Sequence, residues 1–65
     1  MYKAIKDKLK NVNQSAIAKQ IGIRVETMNR IVNQKQDCTK TTAFCIVKAI
    51  DSNAEINDYF EKRGE

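Results

Sequence analysis

Apolar residues recur along this chain at spacings of three and four, and the rhythm stops at short polar segments rather than running through. It predicts five helices. The first covers residues 2–10, where Ile5 and Leu9 face inward with Ala4 while Lys3, Lys6, Lys8 and Lys10 stay in water. Residues 11–13 break it, and Asn13 is placed to cap a second helix over residues 14–21, its side-chain oxygen accepting a backbone N–H of the first turn. Gly22 supplies the positive φ that a turn after a helix requires. The third helix, residues 25–33, turns Met28, Ile31 and Val32 inward and leaves Val25, Glu26, Asn29 and Arg30 as an outward stripe. The loop over residues 34–40 has neither Gly nor Pro, so Asn33 is the expected left-handed terminus. Thr39 or Thr41 then caps a fourth helix reading to residue 51, with Ala43, Ile46, Val47 and Ile50 as its apolar face and Phe44 and Cys45 off its centre. After a turn at Asp51, Ser52 and Asn53, a last helix over residues 54–62 presents Ile56, Tyr59 and Phe60 to the core, and Gly64 ends it. No segment carries a strand signal. The expected class is all-α: one compact five-helix domain over residues 1–65.

The middle of the pattern is the most specific part. Two short helices meet at Gly22 with too little chain between them for a free loop, which is the sequence shape of a helix-turn-helix. Ala18, four residues before Gly22, faces the second helix where only a small side chain lets the backbones approach, and Ile23 plugs the turn. The second helix of such a pair is the one that enters a DNA major groove.

Charge supports a polyanionic partner. Residues 1–50 hold 10 basic and 3 acidic side chains, while residues 51–65 hold 2 and 5. A basic body with an acidic tail is an electrostatic footprint for nucleic acid, although a solvated surface of mixed sign gives the same count. At 65 residues the domain buries only about 60% of its unfolded surface, so association is a plausible source of stability. The N-terminus lacks a signal-peptide core and the longest apolar run is too short to cross a bilayer, so a cytoplasmic protein without membrane contact is expected. Cys38 and Cys45, with no His in the chain, make a zinc site within one subunit improbable and are read as reduced thiols; Cys45 is read as a small apolar filler. No cofactor is expected. Without His, a Gly-rich phosphate loop or a nucleophile–base set, the chain does not read as an enzyme.

These residues resemble the Cro/repressor-type, or XRE-like, helix-turn-helix family of bacteria and phages. Asn13-Gln14 is similar to the Thr-Gln pair opening the family's second helix, Gly22-Ile23 to its turn, Ala18 to its small inter-helix residue, and Ile31 to the apolar residue closing its third helix. Residues 46–50, IVKAI, resemble its fourth helix, and residues 54–60 its closing segment. Arg24 stands where the family usually has a capping Ser or Thr, and Gln34 where it has Gly. The resemblance implies a lambda repressor-like fold and a sequence-specific transcriptional regulator of double-stranded DNA, of the Cro-like repressor kind found in phages and mobile elements. It also implies a homodimer, formed in solution or only on DNA, with an antirepressor protein as one route of control.

By that resemblance Gln14 clamps a phosphate and Val25 and Glu26 stand at positions that face the base edges; Asn29, on the same stripe, can bond adenine or a phosphate. Arg30 suits a bidentate contact to guanine. As an i,i+4 pair, Glu26 and Arg30 equally suit an exposed salt bridge worth about 0.3–0.5 kcal/mol. Arg24, Lys35 and Lys40 flank the helix as phosphate neutralisers; Lys19 is as readily a solvated lysine, and Thr27 faces the backbone side. Phe44 is either covered by Tyr59 and Phe60 or belongs to a subunit interface, for which Phe44, Ile56, Tyr59 and Phe60 are the candidates. The competing class is a protein-interaction module, an antitoxin or adaptor built on the same scaffold.

Overall fold

Local capping chemistry sets the boundaries of the central helices. In the computed structural model, which describes residues 1–63, Asn13 Oδ1 accepts the Ala16 N–H at 3.0 Å and opens α2 (Gln14–Ile21). Gly22, at φ 81°, closes it, the Gly22 and Ile23 N–H groups both donating to the Ala18 carbonyl at 2.9 and 3.0 Å. α3 (Val25–Val32) begins without a side-chain cap: Arg24 holds the N-cap position and makes no capping bond, yet the helix starts where it was expected. Thr39, rather than Thr41, caps α4 (Lys40–Ile50), its Oγ1 accepting the Thr42 N–H at 3.2 Å. Asp51 then makes a side-chain turn, its carboxylate accepting the Asn53 N–H at 2.9 Å.

Ile17 and Ala18 of α2, Met28, Ile31 and Val32 of α3, and Ala43, Ile46 and Val47 of α4 are buried together. Each large apolar side chain in that cluster contributes about 1.5–3 kcal/mol. Ala18 is fully buried and Ile23 is half-buried. A radius of gyration of 10.3 Å is close to the ~11 Å expected of a compact chain of this length.

The two ends depart from an all-helical reading. Residues 2–4 are not helical but form β1 (Tyr2–Ala4), followed by one turn of helix, α1 (Lys6–Leu9). The last helix is likewise shorter than the expected 54–62: α5 (Ile56–Tyr59) is a single turn, opened by a reciprocal Glu55–Asp58 capping box, and Phe60 leads into β2 (Phe60–Lys62). β1 and β2 pair antiparallel, Tyr2 with Lys62, Lys3 with Glu61 and Ala4 with Phe60. The physical reason is mutual: each segment offers the other the backbone partners that a longer helix would have found internally. Phe60 is thereby driven into the core at 1% exposure, beside Ala4 and Leu9. The class is therefore mostly helical, five helices among the described residues, with a small two-stranded sheet. Gly64, expected to end the last helix, lies outside those residues.

β1 also fastens the loop after α3. Tyr2 exchanges two backbone bonds with Cys38, at 2.7 and 2.9 Å, and the Ala4 carbonyl accepts Gln34 Nε2 at 2.9 Å. The left-handed residue at the end of α3 is Gln34, at φ 64°, and not Asn33, which stays at φ −84°. The Gln34 N–H donates to Ile31 O at 3.1 Å and the Lys35 N–H to Arg30 O at 2.9 Å, so the bend carries the full bonding of a glycine-type helix stop without a glycine. Cys38 is buried here, and the apolar filler role expected of Cys45 falls to it instead, since Cys45 is exposed. Burial, with the Asp37 charge second, pushes the Cys38 thiol up to about 11.

Candidate nucleic-acid interface

The outward stripe of α3 is exposed as a continuous surface. Val25 is 46% exposed, and Glu26, Asn29 and Arg30 are exposed beside it, because Met28, Ile31 and Val32 take up the opposite face. Within the described residues no ion pair or hydrogen bond joins the Glu26 and Arg30 side chains, which leaves the guanidinium in water.

Gln14, the first residue of α2, is brought to this stripe. Asn29 Nδ2 donates to Gln14 Oε1 at 3.3 Å, across two helices. Asn29 Oδ1 in turn accepts Asn33 Nδ2 at 3.0 Å. Asn33 was not among the residues singled out from sequence for this surface; its one available signal was the four-residue step from Asn29 along the outward face. Asn29 thus spends one Nδ2 hydrogen and one Oδ1 lone pair within the protein and keeps one of each.

The flanking cations divide into two groups. Arg24 is exposed at the uncapped start of α3, where the first N–H groups of the helix lack a side-chain partner, and Lys35 is exposed immediately past its end. Lys40 opens instead onto a cleft of about 380 Å³ lined by Phe44, Lys48, Tyr2 and Ile56. Lys19 is exposed in the last turn of α2. Thr27 is half-buried and lines a separate groove with Ile23, Ile31 and Thr42, off the stripe.

Phe44 is 49% exposed. With half of its surface in water it is not a covered core residue; Lys48 shields it in part, with Nζ 5.3 Å from the ring centroid and donating to the Ser52 and Ala54 carbonyls at 3.1 and 2.9 Å. Of the candidate interface residues, Ile56 and Tyr59 are half-buried, while Phe60 belongs to the core and offers no surface to a partner. Among the described residues no cluster of His, Cys, Asp and Glu is arranged to hold a metal ion, and no helix is long and apolar enough to cross a membrane. Compared with known proteins, the chain matches no family model, no curated sequence and no solved structure.

Proposed function

We propose that α2 and α3 form a helix-turn-helix and that the protein is a sequence-specific regulator of transcription, a Cro-like repressor of phage or mobile-element type acting in the cytoplasm on double-stranded DNA. The observation that carries this reading is the Gln14–Asn29 bond, because it puts the start of α2 and the exposed stripe of α3 on one surface, as docking one helix in a groove and the other on its rim demands. In this arrangement Arg30 contacts guanine O6 and N7, Glu26 accepts from cytosine N4 and Val25 touches a thymine methyl. Gln14, Arg24 and Lys35 hold phosphates on either side. Lys40 is assigned to the Phe44 cleft. A single small module making so few contacts binds weakly at cellular salt, so two copies occupy two half-sites about one helical turn apart, meeting through Phe44, Ile56 and Tyr59.

The exposure of Phe44 also favours a second reading, a module that binds another protein through that face. Titration with duplex DNA at two salt concentrations separates them. The DNA reading requires affinity that falls steeply with salt, and Arg30→Ala should weaken binding to a selected site by about 1–3 kcal/mol while affecting random duplex much less. Equal losses on both would reduce Arg30 to a phosphate contact, and salt-independent or undetectable binding by the wild type would leave the protein-binding reading.

A further inference from the structure

Polar side chains on a helix surface ordinarily sample several rotamers in water, so three carboxamides bonded in series across two helices are an ordered feature. Here the series has a direction. Asn33 Nδ2 gives its hydrogen to Asn29 Oδ1 at 3.0 Å, and Asn29 Nδ2 gives its own to Gln14 Oε1 at 3.3 Å. The run starts at Asn33, itself held by its backbone N–H on the Asn29 carbonyl at 3.0 Å, and it finishes at Gln14. Because Oε1 is turned toward Asn29, the planar amide turns Nε2 away from it, and among the described residues Nε2 makes no hydrogen bond.

From this series we infer that Asn33 is a positioning residue for DNA binding: acting through Asn29, it fixes the Gln14 carboxamide with its NH2 group outward as a preformed donor to a phosphate oxygen. The inference rests on the DNA-binding reading above. A phosphate oxygen only accepts, so the polarity of the run matters as much as its rigidity; the reverse order would present the Gln14 oxygen to an anion. Asn29 serves as the link between the two and not as an independent reader of bases. Without Asn33 the link loses its fixed end, and Gln14 must be ordered at the moment of binding.

The test pairs a measurement on the free protein with one on the complex. In free protein, the Gln14 side-chain NH2 resonances should shift on Asn33→Ala, although the two side chains do not touch. Asn29→Ala, which cuts the same run in the middle from an exposed position, should produce the same shift and serves if Asn33→Ala folds poorly. On a mixed-sequence DNA duplex, Asn33→Ala should weaken binding by about 3- to 10-fold, the scale of one long side chain left to be immobilised. In a Gln14→Ala background it should have no further effect. An additive loss would mean that Asn33 touches DNA itself, and unmoved Gln14 resonances would mean that the run does not order Gln14; either overturns the inference while leaving DNA binding intact. If the resonances shift but the wild type binds no duplex, the DNA-binding reading fails and the positioning role falls with it.

Discussion

At the end of α2 the left-handed residue is Gly22, at φ 81°; at the end of α3 it is Gln34, at φ 64°. Gly22 reaches that conformation without steric opposition, and a side chain there would meet nothing within 4 Å, so the glycine serves the backbone angle alone. Gln34 adopts a conformation that opposes any side chain by about 1–2 kcal/mol, and its own side chain returns a bond to the Ala4 carbonyl. The first stop is self-contained. The second is held from outside, by β1, which β2 and Phe60 hold in turn. The stop that frames the candidate recognition surface is thus complete only when the two ends of the described chain have met.

The largest expected effect comes from Phe60. Phe60→Ala should cost about 3–5 kcal/mol, comparable with the whole stability of a domain this small, whereas Phe60→Leu, at about 1 kcal/mol, keeps the fold measurable. In Phe60→Leu, amide hydrogen exchange at Lys35 should accelerate more than at Ile23, since each reports one helix stop; equal acceleration would mean that the two ends open together. Next is Gly22→Ala, expected to lose about 1–2 kcal/mol in denaturant titration through φ alone, with the structure of the turn unchanged. A loss below a few tenths would place the strain elsewhere.

Gln34 sharpens the contrast. Gln34→Ala keeps the strained angle and loses the bond to Ala4, a loss of about 0.5–1.5 kcal/mol. Gln34→Gly loses the same bond but relieves the angle and should be close to neutral, about 1 kcal/mol better than Ala. If the two variants are equally stable, Gln34 is not strained. The smallest effect is on pH. The buried Cys38 thiol is raised from 9.0 to about 11, so the folded state prefers its neutral form. Stability is therefore full well below pH 9 and declines as pH rises through about 11, the loss being on the order of 1 kcal/mol at about pH 10. Thermal melts of wild type and Cys38→Ser across that range check it, the variant lacking this component of the slope.

The central helices were legible because their signals are local. Asn13, Gly22 and the apolar steps through Ile17, Met28, Ile31 and Val47 act on residues within a turn or two of themselves. β1 was hidden because its partner lies at the other end of the chain, and in the sequence Ala4, Ile5 and Leu9 mimic a helical face well enough to absorb it. Intrinsic preference alone favours Asn33 as the left-handed residue. The bond from Gln34 to Ala4, which only the folded chain provides, reverses that preference. For the same reason the stripe of Val25, Glu26, Asn29 and Arg30 was readable from one helix, whereas the series from Asn33 to Gln14 needed two.

The pairing of Tyr2 with Lys62 puts both strand termini at the same edge of the sheet. A pull applied to the two ends loads the strand pairs one after another, Tyr2–Lys62 first and Ala4–Phe60 last, rather than all in shear. Tension is therefore relieved by peeling at low force, and the first part of the molecule to be disturbed is the anchor behind α3, while the Asn13 and Gly22 ends of α2 are still intact.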